Sequence, residues 1–482
     1  MPAQLTTRQQ VNGYRFLLRR YEHALIRRDV RMLHDPMRSQ SRSLIVGAVL
    51  GLLVVAGAAI MAFLKPQGTV GDASIVMAKE TGALYVVADD RLHPVLNLAS
   101  ARLITGSNED PTSVKASKLS DRPRGPLLGI PGAPSFLPGS SAGDRSTWSL
   151  CDTVTLSPSG RTTNGLKTTA IAGEPDTGAE YAARPLGEAQ TLLVTKGDKT
   201  YLLYDGKRAE VDPADPVLVR ALGLDGLTAR PISAGLLNAT LEVPPLRAPV
   251  IDGLGGPGPG ALAEVPVGGV IRVRTVASED MFVVLADGVQ PVSPFVAEVI
   301  RTANSQEMAD VVAVPPDRLV GVPVVQRLPV DRFPREIPEI LTAENAPVGC
   351  LTWSRGAEDP AATVEFTAGR VLPLADSAAP VELATADGSG DRIDAVYIPP
   401  GTGEYVQTTG IEPASERRGS LFYIAENGIR YGVPDAQTAA VLGLAETPSP
   451  APWPIIAELV PGPTLNRADA LVSHDVLPTG LP

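Results

Sequence analysis

The longest apolar run of the chain extends from Leu44 to Leu64 and contains 21 residues without a charge. At about 1.5 Å of rise per residue, a helix of this length crosses a hydrocarbon core of roughly 30 Å. A cleaved signal peptide is the alternative, but its apolar region has about 7 to 15 residues and lies nearer the N-terminus. The run therefore predicts a transmembrane helix over 44–64.

The segment before this run has the hydrophobic period of an α-helix. Apolar side chains recur at spacings of three and four, at Val11, Tyr14, Leu18, Tyr21 and Leu25. Thr6 or Thr7 can cap the start of such a helix, and most of its arginines fall on other faces. An ordered apolar stripe favours docking to a partner, whereas an ordinary basic flank or contact with anionic lipid is the alternative.

Charge is distributed unevenly about the predicted span. Residues 1–43 contain nine arginines and three acids, a net charge of +6, so the total of −11 leaves −17 for the remainder. Because the basic flank of a span stays in the cytoplasm, we expect a cytoplasmic N-terminus and an extracytoplasmic bulk. The acidity of that bulk argues against nucleic acid as a partner.

One strand pattern returns four times beyond the span, at 84–95, 201–212, 282–293 and 422–433. Each copy is an apolar strand followed by Asp-Asp, Asp-Gly, Asp-Gly or Asn-Gly and a second strand, which is typical of a β-hairpin with a two-residue turn. Helical stretches follow at 216–224, 295–303 and 436–444. The pattern predicts β-β-α units that pack on one another or on a shared core. Chance similarity among common hairpins is the alternative.

The cysteine content changes this picture. Both cysteines, Cys151 and Cys350, lie beyond the span, where an oxidising compartment permits a disulfide. We predict that they pair and join the segments between the hairpins into a central domain. Two buried free thiols are the alternative. Gly and Pro number 46 each, which favours many short elements joined by turns.

The stretch GRTTNGLKTT at 160–169 comes close to a phosphate-binding loop, through Gly160, Gly165, Lys167 and Thr168. A working loop has the form GxxxxGK[ST] between a buried strand and a helix. Here Leu166 separates the second glycine from the lysine, and Pro and Gly interrupt both flanks. The stretch is predicted to be a polar loop rather than a nucleotide site.

Three other patterns resemble catalytic or metal-binding sites but lack the context that such sites require. GSSAG at 139–143 matches a nucleophile elbow but follows a Pro-rich linker, and only His93 and His474 lie beyond the span. His93 is predicted to be structural. Asp387, Asp391 and Asp394 lack the spacing of a calcium loop, which predicts a solvated turn. The sequence thus predicts no catalytic residue, no metal site and no cofactor.

Several stretches in chain order resemble the EccB family of mycobacterial and actinobacterial type VII (ESX) secretion systems. They are QVNGYRFLLRR, RMLHDP, FLKPQG, LHPVLNLASARL, GIPGAP, the WSLCD at 148–152, and RYGVPDAQTAAVLGL. GALYV, RGPLLGIPGAP and IDAVYIPPG at 393–401 are most similar to the fourth, ancestral ESX subtype.

The resemblance implies an α+β fold. A single N-terminal transmembrane helix would precede an elongated extracytoplasmic region with a central core domain and four β-β-α-type repeat domains in pseudo-twofold arrangement, the repeats being similar to the cell-wall-binding subunit of a phage endolysin. The predicted division is a cytoplasmic basic amphipathic helix (1–43), the transmembrane helix (44–64), repeat 1 (65–122), a first core segment with linker (123–190), repeat 2 (191–250), a Gly/Pro linker (251–265), repeat 3 (266–340), a second core segment (341–415), and repeat 4 with the tail (416–482).

The resemblance also implies partners in the cytoplasmic membrane. The family assembles with the EccC motor ATPase, EccD and EccE, near the mycosin protease, and its members associate through their outer domains. We therefore expect a structural, membrane-anchored secretion component whose docking residues are Val11, Tyr14, Leu18, Tyr21 and Leu25. A cell-wall-binding anchor is one alternative, and an ATPase, as the family has been labelled, is the other.

Overall fold

A computed structural model describes residues 7–28, 30, 36–64, 73–120, 122–140, 143–159, 162–275 and 278–476. Backbone contacts divide the chain into two compact units, Met1–Gly71 and Asp72–Pro482. The first is called the N-terminal unit here and the second the large unit.

The N-terminal unit contains two helices, α1 (Arg8–Arg27) and α2 (Pro36–Leu64). Thr7 caps α1 in a capping box, because the Thr7 N–H donates to Gln10 Oε1 (2.9 Å) and the Gln10 N–H donates to Thr7 Oγ1 (3.4 Å). Within α2 the stretch Gln40–Met61 is long and apolar enough to cross a membrane, and none of it is buried. The predicted span 44–64 thus lies on a candidate membrane helix.

The large unit begins with a first hairpin sheet, whose elements are β1 (Ile75–Ala78), β2 (Leu84–Ala88), β3 (Arg91–Val95), α3 (Leu98–Thr105), β4 (Thr112–Val114), α4 (Ala116–Leu119) and β5 (Leu127–Leu128). Three strands of a central sheet follow, β6 (Arg145–Leu156), β7 (Thr162–Ala172) and β8 (Arg184–Pro185). The second hairpin sheet contains β9 (Gln190–Lys196), β10 (Lys199–Tyr204), β11 (Lys207–Val211), α5 (Pro216–Ala221), β12 (Arg230–Pro231), α6 (Ala234–Ala239) and β13 (Leu241–Val243).

The third hairpin sheet contains a 3₁₀ turn (Gly260–Leu262), β14 (Val270–Arg274), β15 (Glu279–Leu285), β16 (Gly288–Val292), α7 (Pro294–Ala303), β17 (Val312–Val314) and a second 3₁₀ turn (Pro316–Leu319). The chain then returns through β18 (Glu339–Ile340) to the central strands β19 (Val348–Gly356), β20 (Thr363–Gly369), β21 (Val381–Glu382) and β22 (Ala395–Tyr397). The fourth hairpin sheet contains β23 (Gly403–Thr409), β24 (Leu421–Ala425), β25 (Ile429–Val433), α8 (Ala436–Leu442), β26 (Ser449–Pro452), α9 (Trp453–Ile456), β27 (Val460–Pro461) and α10 (Arg467–Ala470), and β28 (Ser473–His474) ends the described chain.

The four hairpin sheets share one order of elements that is longer than the predicted β-β-α unit. Each starts with three antiparallel strands, and a helix follows. The next strand pairs parallel to the first strand of its sheet, through β4, β12, β17 and β26. A last segment pairs parallel to the third strand, through β5, β13, Val324 and β27. The hairpin and helix read from the sequence are therefore the middle of a larger repeat.

The helix after each hairpin begins at a polar N-cap residue. Its side chain accepts a hydrogen bond from a backbone N–H of the first turn, at Asn97, Asp215, Ser293 and Asp435. Such caps satisfy an N–H that has no partner inside the helix. The chain thus turns from strand to helix in the same way in all four copies.

Two of the four hairpin turns follow the prediction and two differ from it. Asp89-Asp90 and Asp205-Gly206 form two-residue turns in which every φ is positive. In the third hairpin Leu285 pairs with Gly288, so the predicted Asp-Gly turn is wrong by one residue and consists of residues 286–287.

The third and fourth turns differ for identifiable reasons. Gly288 is a strand residue because its missing side chain makes room for the Pro323 carbonyl, which a Cβ would approach to 2.3 Å. In the fourth hairpin Ala425 precedes a three-residue loop that ends at Gly428, whose φ is 78°. A three-residue hairpin loop requires a left-handed residue at this position, which glycine adopts easily.

The central sheet has seven strands in the order β21-β22-β7-β6-β19-β20-β8. Its middle is the antiparallel pair of β6 and β19, and each of these strands forms a hairpin with the strand that follows it. The two hairpins also exchange edge strands, because β8 follows the first hairpin and pairs with β20, while β22 follows the second and pairs with β7. The two halves of the chain are therefore interlocked in one sheet.

Buried side chains place the sheets in the packing order first, fourth, central, second, third. The first and fourth sheets share a core that includes Val86 and Tyr423. Trp148 and Trp353 of the central sheet share a core with the second and fourth sheets. The second and third sheets share a core at Leu218 and Phe295. The Gly/Pro-rich stretch 251–265 packs on the third sheet, where Ile251 and Leu262 are buried.

The hairpin turns that contact the central sheet contain glycine where no side chain fits. A Cβ on Gly206 would lie 2.9 Å from the Val364 carbonyl oxygen, and a Cβ on Gly428 would lie 2.6 Å from Val396 Cγ1. Val364 and Val396 belong to β20 and β22 of the central sheet. The glycines thus permit close packing as well as positive φ.

We predict that Gly428→Ala destabilises the large unit more than Gly401→Ala. Both positions have φ between 74° and 78°, so both substitutions incur left-handed strain, of about 1–2 kcal/mol. Only residue 428 faces a buried side chain; a Cβ at residue 401 has nothing within 4 Å, so overpacking adds about 1–3 kcal/mol at residue 428 alone. The unfolding free energy of the full chain in denaturant measures the difference. Equal losses would show that this contact does not limit packing.

Candidate functional site

Apart from α2, the described part of the N-terminal unit exposes a set of large apolar side chains on α1. All five predicted docking residues are exposed in this unit, at 40% for Val11, 66% for Tyr14, 51% for Leu18, 67% for Tyr21 and 83% for Leu25. At 100° per residue they occupy one stripe about 80° wide. Exposed contiguous apolar surface on a helix marks a site of protein or membrane contact. The stripe is the candidate interaction surface of this unit, and its docking role stays a prediction.

The centre of the large unit is a pair of matched segments on β6 and β19. Cys151 lies opposite Cys350, Leu150 opposite Leu351, and Trp148 opposite Trp353. The disulfide predicted from the compartment is formed between Cys151 and Cys350, across a sequence separation of 199 residues. Both cysteines are completely buried. The bond therefore ties the two halves of the central sheet at a point that solvent does not reach.

Asp152 follows the first cysteine and is 2% exposed. Its carboxylate accepts hydrogen bonds from Ser233 N–H (2.6 Å) and from Thr168 Oγ1 (2.9 Å). Burial raises the pKa of Asp152, an effect that these hydrogen bonds and the nearby Arg230 oppose. Ser233 is the N-cap residue of α6, so Asp152 connects the central sheet to the second hairpin sheet.

Arg230 is the buried cation beside Asp152 and is 3% exposed. It donates to the carbonyl oxygens of Ala346 (2.8 Å) and Pro347 (2.6 Å), which lead into β19. Burial lowers the pKa of Arg230 to about 10, because desolvation outweighs the attraction of Asp152. Sequence reasoning missed this pair. The signal for Asp152 was a lone acid at the end of the apolar WSLC segment, and a charge in such a strand needs a buried partner.

The stretch resembling a phosphate loop is a strand, so its prediction as a polar loop is wrong. Gly165, Lys167 and Thr168 lie on β7, between β6 and β22; Gly160 lies outside the described residues. Threonine-rich segments suit strands because the side chain is β-branched. Pairing with β6 on one side, and with Ser389 and β22 at Leu166 and Thr169 on the other, favours a strand here despite the low hydrophobicity. Lys167 Nζ lies 2.6 Å from Glu382 Oε1, and the Thr168 N–H donates to Asp394 Oδ2 (2.8 Å). These groups serve the sheet, and their strand does not form the loop that cradles phosphates.

Two residues of the remaining candidate patterns have structural partners. Ser140 Oγ donates to Glu404 Oε1 (2.7 Å), and His93 Nδ1 lies 3.2 Å from the Pro126 carbonyl oxygen. Ser141, at the nucleophile position of GSSAG, lies outside the described residues. The predicted solvated turn at 387–394 is wrong for Asp394, which is 2% exposed and accepts from three backbone N–H groups. The sequence does not show this, because one of the donors, Thr168, is 226 residues away in the chain. Within the described residues no cluster of His, Cys, Asp and Glu could hold a metal ion.

Comparison with known proteins gives a consistent result. The family model described as "Type VII secretion system ESX-1, transport TM domain B" matches residues 3–479. The chain is 39% identical over 486 residues to the "ESX-3 secretion system ATPase EccB3" of Mycolicibacterium smegmatis, covering 98% of this chain and 92% of that protein. It is also 39% identical over 485 residues to the "ESX-5 secretion system ATPase EccB5" of Mycobacterium marinum, with 98% and 94% covered.

Solved structures agree. A chain of the intact ESX-5 inner membrane complex superposes with a TM-score of 0.73 at 36% identity, covering 100% of this chain and 98% of that one. A chain of the EccB3 dimer from the ESX-3 core complex gives a TM-score of 0.71 at 37% identity, covering 83% of this chain and all of that one.

The fold and these likenesses define a component of a type VII (ESX) inner membrane complex, with one candidate membrane helix among the described residues and a large soluble region. The chain belongs to the EccB family. The α+β fold and the family assignment made from the sequence are confirmed. The ESX-4-like subtype stays a prediction.

The Asp152 site generates a pH-dependent prediction. A carboxyl whose folded pKa is raised disfavours folding above that pKa, and this cost disappears as the pH falls through it. Relative to Asp152→Asn, the wild-type chain should therefore gain unfolding free energy as the pH falls through the raised pKa, until the pH reaches the ordinary carboxyl value of about 4.

Asp387 provides the control, because hydrogen bonds from Ser389 lower its pKa and the residue is exposed. The wild-type chain should keep its unfolding free energy relative to Asp387→Asn until the pH approaches the ordinary carboxyl pKa of about 4, and should lose it only below that pH, since the sign of the shift is opposite. Chemical denaturation at a series of pH values provides the measurement. A constant difference between the wild type and Asp152→Asn would contradict the prediction.

Proposed function

We propose that this chain is a non-catalytic assembly component that joins membrane and cytoplasmic parts of the ESX machinery to a self-associating outer region. The exposed apolar stripe on α1 is the observation that carries the proposal. The chemically suggestive residues in the described part of the chain support it, because their polar groups are engaged in holding sheets together. On this proposal the energy for export comes from a partner motor.

The proposed orientation places α1 in the cytoplasm and the large unit outside the cytoplasmic membrane. The excess of arginine before α2 supports this direction. The buried disulfide supports it as well, since structural disulfides persist in oxidising compartments and are rare in the cytoplasm.

The proposed partners of the N-terminal unit are an EccC-like motor ATPase and EccD-like and EccE-like membrane proteins, with the mycosin protease near the outer region. The helical stripe provides anchors at spacings of three and four, which is the arrangement by which a helix binds a groove of another protein. For the large unit we propose association with further copies of the chain. The dimer reported for the related EccB3 supports this.

The ATPase named in several relatives is the competing function. We expect Lys167→Ala to leave the ATP turnover of the purified full chain unchanged, because Lys167 Nζ lies in a surface ion pair with Glu382 on the central sheet. The assay requires a preparation free of the motor protein, as judged by mass spectrometry. Turnover that is abolished by this substitution would establish a nucleotide site on β7 and overturn the non-catalytic proposal.

We expect the triple variant Tyr14→Ser, Leu18→Ser, Tyr21→Ser to release the membrane partners. Each side chain is more than half exposed, so its loss should leave the helix folded while removing apolar anchors, whose truncation costs about 2 kcal/mol or more each at binding hot spots. Mild detergent extraction of the tagged chain, size separation and mass spectrometry identify what travels with it.

Phe16→Ser is the matched control, because Phe16 is 54% exposed but lies on another face of α1. It should retain the partners, and both variants should remain in the membrane fraction. Unchanged co-purification of the triple variant would remove the docking role of the stripe.

A further inference from the structure

A cleft between the central sheet and the fourth hairpin sheet has a volume of about 710 Å³ and contains three arginines, Arg355, Arg417 and Arg418. Arg355 is half-buried near the end of β19. Arg417 and Arg418 are exposed on the connection between β23 and β24. The two elements that form the cleft therefore each contribute guanidinium groups to it.

Hydrogen bonds hold Arg355 and the backbone beside Arg417 in place. Arg355 Nη1 donates to the Ser415 carbonyl oxygen, and Ser415 Oγ accepts from the N–H groups of Gly410 (3.2 Å) and Arg417 (3.4 Å). On the opposite wall the Ala357 N–H donates to the Asp144 carbonyl oxygen (3.0 Å). A binding site on such a framework loses little conformational freedom when a ligand enters.

Among the described residues the three arginines of the cleft form no ion pair, and two acids in the lining offset only part of their charge. Arg145, just outside it, pairs with Asp359 at 2.9 Å. Within the described part of the chain, by contrast, Arg355, Arg417 and Arg418 form no ion pair. Asp144 and Glu416 also line the cleft and leave its lining with a net charge of +1. The region 44–482 as a whole has a net charge of −17, so the cleft is a locally basic site on an acidic protein.

The strand that borders the cleft does not suit an added peptide strand. β26 is an edge strand, and its residues Pro450 and Pro452 have no N–H to donate to a neighbouring chain. Recognition in the cleft must therefore come mainly from side chains. A guanidinium group binds an oxyanion through paired N–H donors in one plane, and a phosphate group offers more charge and more acceptor oxygens than a carboxylate.

We propose that this cleft binds a ligand carrying phosphate groups, held by Arg417 and Arg418 from one wall and by Arg355 from the other. Thr447 and Ser449 provide hydroxyl groups on the same surface. The site is separate from the α1 stripe and from the phosphate-loop-like stretch on β7, so it does not depend on the function proposed for either.

Calorimetric titration of the full chain in discs of neutral lipid tests this proposal, with pyrophosphate as the probe. We expect saturable binding at one site per chain, weakened at least about ten-fold by Arg417→Gln with Arg418→Gln, since each lost charge-assisted hydrogen bond removes a substantial part of the affinity. Citrate, a polyanion that carries only carboxylates, should bind at least about ten-fold more weakly than pyrophosphate.

The matched control is Arg247→Gln with Arg335→Gln, which removes two exposed arginines elsewhere on the large unit. It should bind pyrophosphate like the wild type, and thermal unfolding should confirm that both double variants are folded. The site would be overturned if pyrophosphate showed no saturable binding, or if the cleft variant bound it as tightly as the wild type. An equal loss of pyrophosphate affinity in the control variant would overturn it as well. Citrate binding as tightly as pyrophosphate would overturn the phosphate class.

Discussion

The large unit depends on the antiparallel pairing of β6 with β19, two strands that are remote in the chain. Nine residue pairs join them, from Thr153 with Val348 to Arg145 with Gly356. Their side chains match across the pair, with Trp opposite Trp, Leu opposite Leu and a disulfide between the cysteines. A disulfide that closes so long a loop restricts the unfolded chain strongly and so stabilises the fold. Removing a native disulfide from a small secreted domain costs about 2–5 kcal/mol of stability. Each of the two strands also forms a hairpin with the strand after it, and each hairpin pairs with an edge strand from the other half of the chain. The pairing of β6 with β19 therefore holds both halves of the unit together.

The arrangement of the four hairpin sheets follows from this centre. The second and fourth sheets pack directly on it and share its tryptophan core. Their turns carry Gly206 and Gly428 at positions where the central strands approach closely. The first and third sheets pack on these two instead, and the first sheet has Asp89-Asp90 in its turn. The same repeat thus packs either on the central sheet or on another hairpin sheet. Its turn contains glycine in the two copies where a strand of the central sheet approaches closely.

Buried charged residues hold these layers together. Asp152 accepts from the N-cap residue of α6, Arg230 donates to the carbonyl oxygens before β19, and Asp394 accepts from Thr168 of β7 and from its own turn. Buried charges need several hydrogen bonds each, and here many of these bonds join segments that are distant in the chain. The EccB family assignment and this use of polar groups describe a scaffold, whose exposed features are the stripe on α1 and the arginine cleft.

Features that depend on local physical chemistry can be predicted from the sequence. The apolar run 44–64, the period of Val11 to Leu25, the four hairpins and three of the helices after them follow from short-range periodicity and turn chemistry, although two of the hairpin turns differ from the prediction. The cysteine pairing followed from an expected compartment, and the family from motifs that agree in chain order.

Tertiary structure alone decided what depends on partners far away in the chain. Residues 162–169 form a strand because β6 pairs along them on one side and Ser389 and β22 pair with Leu166 and Thr169 on the other, although their own sequence is too polar to indicate a core strand. Gly288 lies in a strand rather than a turn because the Pro323 carbonyl approaches it, and Asp394 is buried because Thr168 and its own turn donate to it. The parallel strands that complete each repeat are only two to four residues long where the chain forms a named strand. Segments this short have no periodicity to read, so the long-range pairing that defines them is visible only in the fold.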